Sequence, residues 1–170
     1  MDILTYERIP AEFKPWTNTY LRVAEQLIKT IQTTDLEVIH IGSTSAKVGG
    51  KGIIDLSVLY QAGNLEGAIE RVKSLGFQDQ VSKAPFPPER PRKDGLVIFD
   101  NKKYLVHIHI IEHGSSEHKK QLYYKEYMLS NIEARRAYEN TKRAILAQGI
   151  TDQEEYGKRK SLFVKSVLNH

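Results

Sequence analysis

The residues best equipped for chemistry begin with His40-Ile41-Gly42-Ser43-Thr44-Ser45, followed ten residues after Ser45 by Asp55. A strand that ends in Gly-Ser and turns into a short helix directs backbone N–H groups and hydroxyls into one small volume. Glycine allows close approach there, and a helix N-terminus favours negative charge. Gly42, Ser43, Thr44 and Ser45 are therefore expected to hold a phosphate. The same four residues also fit an ordinary Ser/Thr-capped turn. Asp55 bears on the choice, because a carboxylate inside the apolar run Gly52 to Tyr60 is costly unless paired, hydrogen-bonded or bound to a cation. Beside the turn it could hold a divalent ion against a bound phosphate. Fastening a loop is the alternative role.

His107-Ile108-His109 is the third piece. Residues two apart in a strand share a face, so both imidazoles point the same way, as do Asp55 and Ser57. Two imidazoles converging on a carboxylate could bind a metal or relay a proton. Asp55, His107 and His109 are thus the candidate catalytic groups and also the candidate metal ligands, for Mg²⁺ or Mn²⁺ ahead of Zn²⁺. A plainer reading makes one histidine a core residue and the other a surface one. Lys51, Arg90, Arg92 and Lys160 are the expected phosphate partners, with arginine offering bidentate contact and Lys51 directly preceding the Asp55 strand.

The composition limits what these groups can do. Hydrophobic residues make up 40% and charged residues 27% of 170 positions, ordinary for one globular domain. With no cysteine, disulfides, thiolate metal sites and cysteine nucleophiles are excluded. Net charge +4 suits a polyanionic ligand, but 25 basic residues interleave with 21 acidic ones, which argues against nucleic acid as a partner. No apolar run reaches about 18 residues, so no membrane span is expected. The first eight residues lack a basic, then apolar, leader pattern, and a cytoplasmic location is expected. Nothing in the sequence speaks to oligomeric state.

The elements that must position these groups follow from periodicity. Leu21, Ala24, Leu27, Ile28 and Ile31 predict a helix over Thr17 to Thr34. Strands are predicted over Asp35 to Ile41 and Gly52 to Tyr60, then a helix from N-cap Asn64 to Gly76. Pro85, Pro87, Pro88 and Pro91 make Lys83 to Asp94 a loop. Leu96 to Asp100 and Lys103 to Glu112 predict a hairpin turning at Asn101-Lys102. Helices are predicted over Ser116 to Leu129, Asn131 to Gln148 and Asp152 to Asn169. The expected fold is α+β: a mixed-sheet core over residues 1–115 and C-terminal helices over 116–170, in one domain.

Together these motifs resemble the GrpB family. The resemblance is carried by Val38 to Ser45, Lys51, Ile53-Ile54-Asp55-Leu56, His107-Ile108-His109 and Glu112-His113-Gly114-Ser115, with Trp16, Tyr138, Lys142, Tyr156 and Lys160. It implies a nucleotidyltransferase-like fold and a nucleotide or phosphorylated small molecule as ligand. Relatives of this family occur fused to dephospho-CoA kinase, which implies a regulatory docking module as an alternative. A hydrolase using the His-x-His pair is a further one. Active members of the wider superfamily carry D-x-D plus a later acid and bind two metal ions. Here Ser57 stands at the second position and histidines replace the later acid. A standard two-metal transfer is therefore not expected, and Ala46 to Gly49 departs from the family's usual V-P-G-L.

Overall fold

Aliphatic and β-branched runs that bury both sides of a strand need helices on each face. The computed structural model, which describes residues 1–150 and 152–169, meets that need with a five-stranded mixed sheet. Its strands are β1 (Glu37–Ile41), β2 (Ile54–Tyr60), β3 (Gln78–Asp79), β4 (Arg92–Phe99) and β5 (Lys102–Glu112), in the order β1-β2-β5-β4-β3. β2 and β5 run parallel and the other pairs antiparallel.

The helices α1 (Thr19–Ile31) and α3 (Leu65–Ser74) cover one face. Their apolar positions join Ile54, Leu56 and Val58 of β2 and Val106, Ile108 and Ile110 of β5 in the main core. The buried stripe of α1 is Tyr20, Val23, Ala24, Leu27 and Ile31, so Tyr20 and Val23 take the places predicted for Leu21 and Ile28. α2 (Gly42–Ser45) is the predicted short helix after β1. α4 (Ser116–Ser130), α5 (Ile132–Ala147) and α6 (Gln153–Leu168) gather against it, with Ala46 and Val48 packed among Tyr124, Met128, Tyr138 and Val167. Asp152 caps α6 by accepting from Glu155 N–H, as its capping-box spacing predicts.

Three local expectations are corrected. Asn64 occupies the N-cap of α3 but its side chain makes no capping bond. The hairpin turns on Asp100-Asn101, one residue earlier than predicted. Both residues have positive φ (47° and 62°), which Asp and Asn tolerate far better than Lys102 would. The proline-rich loop ends at Pro91, because Arg92, Lys93 and Asp94 pair with β5.

That last correction has an energetic reason. Asp94 is completely buried; its Oδ2 accepts from Arg92 Nη2 at 3.0 Å and from Val81 N–H at 2.9 Å. Arg92 Nε stands 2.8 Å from Oδ1 but is not aimed along a hydrogen bond, so that contact is charge attraction. The pair fixes the start of β4 opposite His107 and His109. Replacing Asp94 with Ala leaves the largely buried Arg92 cation with no carboxylate, only Ser82 Oγ at 3.2 Å. We expect a loss of about 3–5 kcal/mol in a denaturant titration; a variant as stable as the parent would contradict this account.

Candidate functional site

The register of the sheet assembles the site. β1 places Ile41 opposite Asp55, and β5 places His107 beside Asp55 and His109 beside Ser57. Alternation then projects Asp55, Ser57, His107 and His109 from the face opposite the main core. His109 Nε2 lies 3.1 Å from Asp55 Oδ1, and His107 Nδ1 lies 3.6 Å from the same oxygen. Burial alone would raise the Asp55 carboxyl, but the two imidazoles outweigh it and hold Asp55 well below the carboxylate range. Since an ionised carboxylate only accepts, His109 Nε2 is the donor.

His107 is kept from charging by its own burial, which lowers its pKa. Its Nε2 meets the Tyr6 hydroxyl at 3.3 Å. The Tyr6 phenol is pushed up to about 12, first by burial and then by the Asp94 charge, so it holds its proton. The consistent arrangement is Tyr6 donating to His107 Nε2, with the proton of the neutral imidazole on Nδ1 facing Asp55. Ser57 takes no part; it is buried and donates to Gln121 Oε1 of α4 at 2.7 Å.

The turn itself is built by a missing side chain. Gly42 has φ +73°, and a Cβ there would stand 2.9 Å from Asp55 Oδ2. Thr44 Oγ1 pairs with His40 Nε2 at 2.8 Å, and Ser45 Oγ donates to the Gly42 carbonyl at 2.7 Å. His40 is driven down to about 4 by burial and by the nearby Lys125 charge, so it stays neutral. Ser43 instead turns its hydroxyl to the C-terminal helices, where Lys142 Nζ donates to it at 2.7 Å and the buried Tyr124 and Tyr138 lie beside it.

Lys142 is 2% exposed, and its Nζ also reaches the Gly49 carbonyl at 3.2 Å. It lies 4.1 Å from the Tyr138 ring centre. Lys51 and Lys160 stand 4.8 and 5.5 Å from the Tyr156 ring centre. Burial is the largest cause lowering all three lysines, with repulsion from Lys160 next for both Lys51 and Lys142. Lys51 comes down to about 7. Among the described residues no carboxylate lies within ion-pair distance of any of the three.

These groups line one cavity of about 800 Å³. It gathers Ser43, Thr44, Lys51, Asp55, Arg90, Arg92, His107, His109 and Lys160 of the residues expected from sequence, and it does not include Gly42 or Ser45. Arg92 reaches the wall with its guanidinium held by Asp94 and Ser82. Apolar lining comes from Tyr6, Ile9, Val81, Pro85 and Phe86, with the Tyr6 ring stacked on His107 and the Phe86 ring against His109 and Arg92. The loop over this lining is tied down by Tyr60 Oη to Glu89 O at 2.6 Å and by Lys83 N–H to Glu154 Oε1 at 2.9 Å. Sequence reading gave no site role to Lys142, Asp94 or Tyr6. Lys142 had a usable signal, since Tyr138 and Lys142 repeat the four-residue spacing of Tyr156 and Lys160, which puts ring and ammonium on one helix face.

The donors do not suit a pair of Mg²⁺ ions. Among the described residues no group of three or more His, Asp or Glu is arranged around a common ion position. Both imidazoles address one oxygen of Asp55, Ser57 is turned to Gln121, and Asp94 is spent on Arg92. No helix of the described residues is long and apolar enough to cross a membrane.

Comparison with known proteins agrees with this geometry at the level of fold. The chain is 27% identical over 154 residues to a UPF0157 protein of Streptomyces coelicolor, covering 89% of this chain and 77% of that one. A UPF0157 protein of Halalkalibacterium halodurans is 22% identical over 160 residues, covering 92% and 78%. Among solved structures the chain is similar to the GLD-2/RNP-8 complex, with TM-score 0.53 and 14% identity over 82% of this chain and 46% of that one. It is similar also to the Cid1 poly(U) polymerase with Mg and 3′-dATP bound, with TM-score 0.51 and 13% identity over 75% and 41%. The chain therefore spans less than half of each of those two, and the shared part is the nucleotidyltransferase fold. The GrpB profile matches residues 9–170, and on that match the chain belongs to the GrpB protein family.

Proposed function

We propose that the cavity binds the phosphates of a nucleotide or another phosphorylated small molecule. The observation that carries this reading is that Lys51, Lys142 and Lys160 line one cavity with Ser43, and among the described residues no carboxylate lies in ion-pair distance of the three. Ammonium groups packed this way repel one another and are poorly hydrated, so an anion is what relieves them. The phosphates would sit against Lys51 and Lys160 beside the Lys142–Ser43 pair, with Arg90 on the same cavity wall. The apolar lining around Ile9, Val81 and Pro85 suits a base or another planar group. The Mg and 3′-dATP held by Cid1 agree with a nucleotide in this fold.

Asp55, flanked by His107 and His109, would orient an attacking hydroxyl by accepting its hydrogen bond. The turn of Ser57 away to Gln121 favours a second reading, in which the chain binds its ligand without nucleotidyl transfer.

Isothermal titration with a panel of nucleoside triphosphates separates these readings from none at all. We expect binding that falls about tenfold in Lys51→Ala, the loss of one charge-assisted contact. No binding by any member of the panel would refute the phosphate reading. Asp55→Asn is expected to keep affinity within about threefold, because Asp55 serves the reacting hydroxyl and not the phosphates.

The lowered lysines add a pH dependence. Lys51 releases its proton near 7 in the folded ligand-free protein and near its ordinary 10.5 when unfolded. Between those values the unfolded chain binds more protons, so stability of the free protein rises with pH through that window. A phosphate ligand favours the charged lysine, so its binding takes up protons and weakens as pH rises above about 7. Calorimetry at pH 8 in two buffers of different ionisation heat measures that uptake; equal heats in both would contradict it.

A further inference from the structure

We propose that this site takes its polyphosphate as the metal-free anion, with the ammonium groups of Lys51, Lys142 and Lys160 standing in for divalent cations. The inference rests on the phosphate reading above and goes beyond it in naming what neutralises the ligand.

The donor set comes first. A two-ion centre needs several carboxylates that share oxygens between the ions. β2 supplies one, Asp55, whose Oδ1 already accepts from His109 at 3.1 Å. The position two residues on is Ser57, buried and turned to α4, and the neighbouring strand places the neutral imidazole of His107 beside Asp55. A hard cation gains little from imidazole in place of oxygen.

The positive charge comes second, and it comes from three separate elements. Lys51 stands on the segment between α2 and β2, Lys142 on α5 and Lys160 on α6, and all three line the cavity. Asp55 is within electrostatic reach of each. With a polyphosphate bound the three lysines take up their protons, and a divalent ion beside Asp55 would add to the positive field they then make. A polyphosphate cancels that field.

The fold also makes room for this arrangement. At Gly50 a Cβ would come 2.6 Å from Lys142 Nζ, so a side chain there would displace the ammonium from its present position. The same loop is held to α5 by Gly49 N–H donating to Glu139 Oε1 at 2.7 Å and by Lys142 Nζ on the Gly49 carbonyl. Tyr138 and Tyr156 lie beside the lysines as rings, which support a cation without neutralising it.

The test is titration of the full chain with inorganic tripolyphosphate and with ATP, first in excess EDTA and then in excess Mg²⁺. We expect binding in EDTA at least as tight as in Mg²⁺. Lys142→Met should weaken the EDTA binding by about tenfold or more, as loss of a buried charge-assisted contact. Lys160→Met, further out on the wall, should do the same and serves if the first variant does not fold, which a thermal melt reports. Binding that appears only with Mg²⁺ overturns this inference and leaves the phosphate reading standing. Binding in EDTA that neither folded variant weakens overturns it as well. No binding of either probe in either condition overturns both.

Discussion

Lys142 holds the molecule's two halves in register. Its ammonium is buried, 2.7 Å from the Ser43 hydroxyl and 3.2 Å from the Gly49 carbonyl, while its stem rises from α5 beside Tyr138. The strand-ending turn thereby becomes a joint between the sheet and the C-terminal helices. Burying a charge against a hydroxyl and a carbonyl is a weaker compensation than burying it against a carboxylate. Nearby, Asp94 and Arg92 show the same chain using the conventional pairing. One buried cation is matched in charge and the other is left unmatched beside a cavity, and that contrast is the physical basis for treating the two as different in kind.

Much of the site was legible because strands have period two. Asp55 and Ser57, like His107 and His109, had to share faces whatever the fold, and the first block placed Gly42 at a strand end. What alternation could not supply was the register between strands. Only the parallel pairing of β2 and β5 sets Asp55 beside His107 and Ser57 beside His109. Asp94 was hidden for a different reason: it follows four prolines in a charged stretch that reads as loop, and its burial depends on the strand opposite. The two residues of β3 are too few to leave any periodic trace.

The hydroxyls of the turn divide by direction, which no sequence pattern reveals. Thr44 and Ser45 spend theirs on His40 and on the Gly42 carbonyl, and so brace the turn from within. The Gly-Ser-Thr-Ser segment is thus a turn braced by two of its own hydroxyls, with the third held by Lys142. Trp16 adds to the brace by donating Nε1 to the Thr44 carbonyl at 2.7 Å.

Every strand of the sheet is complete by Glu112, yet Lys142 and Lys160 both lie beyond it. Two of the three lysines of this cavity are therefore written in a different stretch of the chain from the scaffold, while Lys51 lies within it. Drift in the last third could remove those two charges while leaving the five-stranded platform untouched. Likeness of platform between two such proteins then carries no promise of a common ligand, and the helical tail is where descendants would part ways.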